Sequence, residues 1–180
     1  NHRSNTGFKN LMNVLEGISG KKPDSVDYEA VKVGNIKVDY IIICGGNTFP
    51  VSQNQERLKD EIELIKNSYV PILGIFYGFQ VITSAYGGVL ERLPQRRKGI
   101  FPVEISSLDT IFSGVTDNNV WENHIWAVKS VGNELDVLVR SDIGIEAVKV
   151  KGKNIYGFQF HPESTNAPAD SMKIITNFLQ

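Results

Sequence analysis

The chain has 180 residues, 41% of them hydrophobic, enough for one packed domain and too few for two of ordinary size. Nineteen Lys and Arg against twenty Asp and Glu leave a formal net charge of −1, and no basic run exceeds Arg96-Arg97-Lys98, which argues against a nucleic-acid binder. A single cysteine, Cys44, excludes an internal disulfide, and no apolar run approaches the ~20 residues of a membrane span.

The start, Asn1-His2-Arg3-Ser4, lacks a signal-peptide core, and a reducing cytoplasm is the expected compartment. Phe8, Leu11, Met12, Leu15 and Ile18 recur at helical spacing behind Ser4, Asn5 and Thr6, with Gly20 as a stop. Because strands and helices alternate from there on, a strand before this helix is expected to be missing. Tyr28 to Val33 reads as a weak edge strand. Asp39 to Cys44 is a compact apolar run suited to a strand buried on both faces, ended by Gly45-Gly46-Asn47. A helix is expected from about Gln53 to Asn67, with Leu58, Ile62 and Ile65 on one face.

Pro71 to Ile75 is a short apolar strand running into Gly74-Ile75-Phe76-Tyr77-Gly78. Two glycines flanking a central residue at this spacing describe a nucleophile elbow, a strained strand-to-helix turn that exposes one side chain. Here that side chain is Phe76, which has no nucleophilic atom. A helix from Phe79 to Ala85 follows, closed by Gly87-Gly88.

Beyond it the pattern shortens. Val89-Leu90, Phe101 to Ile105, Trp121, Ala127 to Val131, Val137 to Arg140, Ile145 to Val150 and Ile155 to Phe160 read as strands, with Arg96-Arg97-Lys98 in a solvated loop. Leu108 to Phe112 is a helical turn, and Asp170 or Ser171 caps a last helix through Ile174, Ile175 and Phe178. The expectation is a single α/β domain over residues 1–180. Its open, mainly parallel sheet is flanked by helices, with a small antiparallel extension from the second half.

In such a sheet, ligands gather at the carboxyl ends of the strands. Three of those ends hold unusual residues: Gly45-Gly46-Asn47, the elbow around Phe76, and Gly157-Phe158-Gln159-Phe160-His161-Pro162-Glu163. Brought together, they offer backbone N–H groups for an oxyanion, a nucleophile position, and a histidine with a carboxylate two residues on. Three histidines and one cysteine without close spacing give no dedicated zinc site, so neither a metal nor a cofactor is expected. Trp121, Trp126, Phe158 and Phe160 read as core or sheet-face aromatics.

Pro71-Ile-Leu-Gly-Ile-Phe-Tyr-Gly-Phe-Gln80 and Tyr156-Gly-Phe-Gln-Phe-His-Pro-Glu163 resemble the class I glutamine amidotransferases, over roughly Asp39 to Gln180. Val120-Trp121-Glu122-Asn123-His124 is similar to the segment leading into the substrate-binding loop, in the style of GMP synthetase amidotransferase domains. The resemblance implies a flavodoxin-like fold that releases ammonia from glutamine for a synthetase. It puts Phe76 at the place of the nucleophilic cysteine, His161 and Glu163 at the base and its orienting carboxylate, and Gly46 and Tyr77 at the oxyanion hole. Gln80, Asn123 and His124 fall at substrate-binding positions.

The functional expectation is therefore an amidotransferase-like domain silenced by Phe76 and kept as a binding, regulatory or assembly module. Its expected partners are glutamine or a related small molecule and a synthetase subunit or domain. Two rivals stand beside it. One is hydrolysis of glutamine or another γ-glutamyl compound by a water that His161 activates; the other is an active enzyme in which residue 76 has been altered. Rescue by Cys44 is disfavoured, since a cysteine in an apolar run behaves as a small hydrophobe.

Overall fold

The computed structural model describes residues 6–27, 30, 37–45 and 49–180. In chain order the elements are α1 (Thr6–Ser19), β1 (Ile41–Ile43), α2 (Lys59–Asn67), β2 (Ile72–Ile75), α3 (Tyr77–Ala85), β3 (Val89–Pro102) and β4 (Glu104–Ile105). A 3-10 turn (Thr110–Phe112), β5 (Asn119–Ser130), β6 (Leu135–Arg140), β7 (Ile145–Val150), β8 (Ile155–Phe158) and α4 (Met172–Phe178) complete it.

Among the described residues one sheet runs in the order β1-β2-β8-β7-β5-β3, with β6 beside β7 and β4 beside β6. β1, β2 and β8 are parallel, Ile43 opposite Gly74 and Gly74 opposite Gly157, and every pairing beyond β8 is antiparallel. The α/β sheet flanked by helices is the expected one, and its antiparallel part is long.

The period-2 alternation of the buried strands sorts the core into two layers. Leu73 and Ile75 of β2 and Tyr156 and Phe158 of β8 pack with Leu11 and Leu15 of α1 and with Ile174, Ile175 and Phe178 of α4. Ile72 and Ile155 point the other way, against Leu58, Ile65 of α2 and Phe79, Ile82 of α3. β2 and β8 are buried on both faces, which is why they read as unbroken apolar runs, whereas β1, expected to be buried on both faces, ends the described sheet and leaves Ile41 and Ile42 only half-buried.

Several features differ from the sequence reading. Neither Asp170 nor Ser171 caps α4 with its side chain: Ser171 makes no capping bond, and Asp170 instead accepts from Thr116 and Asp117. α2 begins at Lys59 rather than near Gln53, because Gln53 takes a left-handed φ of 73° that no helix accepts. The strand expected at Val89-Leu90 and the first two residues of the one expected at Phe101 to Ile105 form one 14-residue strand that runs through Arg96-Arg97-Lys98, so those charges are not in a loop, while Glu104–Ile105 is a separate strand paired with β6. The cause is tertiary: β3 forms a long antiparallel ribbon with β5, Arg97 opposite His124 and Lys98 opposite Asn123, and cross-strand pairing outweighs local charge. Trp121 and Ala127 to Val131 likewise belong to one continuous β5. Apart from Ala30, the strand expected at Tyr28 to Val33 lies outside the described residues, as do Asn1 to Ser4.

Candidate active site

Phe76 sits between the end of β2 and the first turn of α3 with φ 53° and ψ −97°, a conformation that costs a non-glycine residue about 1–3 kcal/mol. Its surroundings fix it there. The Phe76 N–H donates to the Phe158 carbonyl at 2.7 Å, and its own carbonyl accepts from the Gln80 N–H at 3.2 Å. The flanking glycines are demanded by close approach: a Cβ on Gly78 would lie 2.1 Å from the Ile43 carbonyl oxygen, and one on Gly74 would lie 2.6 Å from the Gly78 backbone. At these two glycines β1, β2 and α3 therefore approach backbone to backbone, and the elbow is the sharp, strained turn that the spacing predicts.

His161 lies just past β8. Its backbone N–H donates to the Trp121 carbonyl at 3.0 Å, and its Nδ1 is 2.9 Å from Glu163 Oε1. Glu163 is buried, and its backbone carbonyl accepts from the Asn10 side chain, which ties α1 to this turn. The Phe76 ring packs on the imidazole with centroids 5.2 Å apart and planes 31° from parallel. Elbow, histidine and carboxylate are thus brought together, with a phenyl ring where the elbow presents its side chain. Two surface hollows, one along α2 from Gln55 to Asn67 and one bounded by Arg97, Phe101 and Arg140, are lined by none of these three residues.

The other expected site residues are placed as follows. Tyr77 opens α3, where backbone N–H groups point out of the helix, and its hydroxyl donates to the buried Glu61 at 2.6 Å. Gly46 lies outside the described residues; its neighbour Gly45 has φ 93°, a conformation that favours glycine. Gln80 is buried and donates to Gln159 Oε1 at 3.2 Å. Asn123 accepts from Arg96 at 3.2 Å, on the ribbon. His124 is 1% exposed, its Nδ1 2.8 Å from the Trp126 carbonyl and its Nε2 3.2 Å from Glu122 Oε2, so both ring nitrogens meet partners on β5 itself. Cys44 is no substitute nucleophile: burial, then the nearby Glu163 charge, push its thiol up to about 12.

Sequence reasoning missed Glu146 and Arg97. Glu146 is 1% exposed, and burial followed by the neighbouring Glu122 charge pushes its carboxyl up to about 7. The signal was present, since a glutamate between Ile145 and Ala147 in a strand buried on both faces requires a reason. Arg97 binds Glu122 through Nε and Asp142 at 2.7 Å, which its place in a run of three basic residues concealed.

A family model, glutamine amidotransferase class-I, matches residues 14–180. The chain belongs to the class I glutamine amidotransferase family. It is 34% identical over 165 residues to the glutamine-hydrolyzing GMP synthase subunit of Methanocaldococcus jannaschii, covering 90% of this chain and 84% of that one. Against the corresponding GMP synthase subunit of Methanococcus maripaludis it is 33% identical over 158 residues, covering 87% and 79%. Among solved structures, a candidate GMP synthase subunit from Thermoplasma acidophilum superposes with a TM-score of 0.83 at 23% identity, over 96% of this chain and 86% of that one. A glutamine amidotransferase from Thermotoga maritima gives a TM-score of 0.72 at 20% identity, over 92% and 74%. This amidotransferase domain is of the type found in the glutamine-hydrolyzing subunits of GMP synthase, and its fold is the one those structures share.

Proposed function

We propose that this amidotransferase domain does not hydrolyse glutamine by the thiolate route and serves as a binding, regulatory or assembly module beside a synthetase. One observation carries the reading: the elbow conformation is kept at Phe76, yet the side chain it presents is a phenyl ring lying on the His161 imidazole. In a working thiolate enzyme a cysteine there attacks the glutamine side-chain amide. The histidine passes the proton to the leaving ammonia, backbone amides hold the tetrahedral oxyanion, and water then cleaves the glutamyl thioester. A phenyl ring has no electron pair to begin the sequence and occupies space that the amide would need. Similarity to the glutamine-hydrolyzing subunits of GMP synthase supports the synthetase partner and the cytoplasmic setting of this reading; among the described residues no helix is long and apolar enough to cross a membrane.

The test is a glutaminase assay of the purified chain with glutamine binding measured by calorimetry. No ammonia release is expected. Turnover at ordinary amidotransferase rates would overturn the proposal, and hydrolysis that survives Cys44→Ala but disappears in His161→Ala would replace it with the water-activating mechanism. Phe76→Cys puts a thiol on the strained turn beside His161 and Glu163, and is expected to give measurable glutamine hydrolysis that His161→Ala abolishes.

A further inference from the structure

The interior holds a second polar centre on β5 and β7. Glu122, His124 and Glu146 are each 0–1% exposed, and one candidate ligand atom from each lies within 4.8 Å of the others. β5 and β7 pair in register only at Val128 and Ile145, so the two strands diverge on either side of that contact and leave room for side chains between them.

The remaining polar atoms of these residues are already held. His124 Nδ1 faces the Trp126 carbonyl at 2.8 Å, and since a carbonyl only accepts, Nδ1 donates to it; Nε2, 3.2 Å from Glu122 Oε2, is the ring nitrogen left to bind an ion once it carries no proton. Glu122 Oε2 accepts from Arg97 Nε, and Glu146 Oε1 accepts from the Ser141 hydroxyl at 2.6 Å. What is left over is acceptor only. Glu122 Oε1 and Glu146 Oε2 are buried without a hydrogen-bond partner, and His124 Nε2 lies beside them, 3.2 Å from Glu122 Oε2. Buried lone pairs converging without a donor are costly unless a cation lies among them.

We propose that Glu122, His124 and Glu146 bind one divalent transition ion, with zinc the ion that an imidazole nitrogen and two carboxylate oxygens suit. The outer partners match what such a site needs. A metal-bound histidine gives its other ring N–H to a carbonyl, and bound carboxylates are themselves hydrogen-bonded, as His124, Glu122 and Glu146 are here. Charge agrees as well. Two buried carboxyl groups, Glu122 and Glu146, lie beside the guanidinium of Arg97, whose other partner Asp142 is largely solvent-exposed, so an added cation complements the cluster. Asp142 reaches solvent and Arg97 lies between it and Glu122, which puts the site one side chain below the surface. A bound ion would pin β5 to β7 where their ladder is open, next to Trp121, whose carbonyl holds the His161 backbone. The site is independent of whether residue 76 permits catalysis.

The test uses the full chain, stripped with a chelator and reloaded with equimolar zinc, read by elemental analysis and thermal melting. The expected result is one ion per chain and a Tm that rises on loading, since the ion binds the folded state. Glu146→Gln and His124→Gln, checked for folding by circular dichroism, should each weaken binding by more than about 100-fold, the upper end for loss of an outer partner alone. His161→Ala and Cys44→Ser should keep the ion. Should either glutamine variant fail to fold, cobalt substituted into the unmodified chain must show the absorption of a site with one nitrogen and two oxygen ligands. A folded chain that takes up no zinc in excess, an ion retained by both glutamine variants, or an ion lost in His161→Ala would each overturn the proposal.

Discussion

Two histidine–glutamate pairs, both two residues apart in sequence, occupy very different positions in this molecule. His161 and Glu163 lie on the turn after β8, where the chain has left the sheet, and the His161 side chain keeps 22% exposure. Glu122 and His124 lie within β5, where residues two apart share a face, and both side chains are fully buried. The residue types are the same; their access is not. A histidine at a strand end can meet a ligand that arrives from solvent, whereas one inside a sheet meets only what folds around it. Against the first pair lies carbon, the Phe76 ring. Against the second pair lie the Arg97 guanidinium and a further buried carboxyl group, Glu146.

The largest effect expected is at the scaffold of the first pair. Gly78→Val should leave the chain largely unfolded or insoluble, because even the first added carbon would lie 2.1 Å from the Ile43 carbonyl oxygen, and backbone cannot yield as a side chain can. A soluble Gly78→Val with an unchanged melt would show that β1 and α3 do not touch as described. At the second pair, Arg97→Ala should cost about 3 kcal/mol in urea unfolding, since it strands the buried Glu122 carboxylate. Arg97→Ala with Glu122→Gln should recover part of that loss. Failure to recover any would mean that Arg97 acts through its stacking on Phe101, 3.8 Å from the ring centroid, instead of through charge.

A smaller effect is expected at Asp109, which joins β7 to β8 and so spans the two regions. Burial opposes ionisation of its carboxyl, but hydrogen bonds from Lys149, the Ile111 N–H and Tyr156 outweigh burial and hold it below its usual value of 3.8. A depressed carboxyl stabilises the fold above its unfolded pKa, and that contribution is lost as pH falls through the folded value. Stability should therefore drop below about pH 4. Asp109→Asn should cost about 1–2 kcal/mol at neutral pH and flatten this part of the acid limb, as read from melts across pH. An unchanged acid limb would assign the dependence to other carboxylates.

Much of the first site was legible in the chain, because it is assembled from short contiguous runs. Gly74 and Gly78 announce the elbow, and His161-Pro162-Glu163 bring an imidazole and a carboxylate together with one residue between them. The parallel strands were equally readable, since burial on both faces leaves an uninterrupted apolar run. The ribbon was not. Arg96-Arg97-Lys98 reads as loop by local chemistry, and only pairing with β5 makes it strand. The set of Glu122, His124 and Glu146 was invisible for a related reason: its members come from two strands whose juxtaposition depends on how the sheet curls, which no local pattern encodes.

The sequence alone determined the family, the elbow and the identity of the residue it presents, because covalent neighbours and backbone sterics act over a few residues. Tertiary structure decided where that residue points, laying the Phe76 ring against the His161 imidazole. It also gathered acceptor atoms of Glu122, His124 and Glu146 within 4.8 Å of one another inside the sheet. Contacts of that kind are set by strand pairing and close packing between distant parts of the chain, where the geometry of the whole sheet, and no single stretch, fixes the distance.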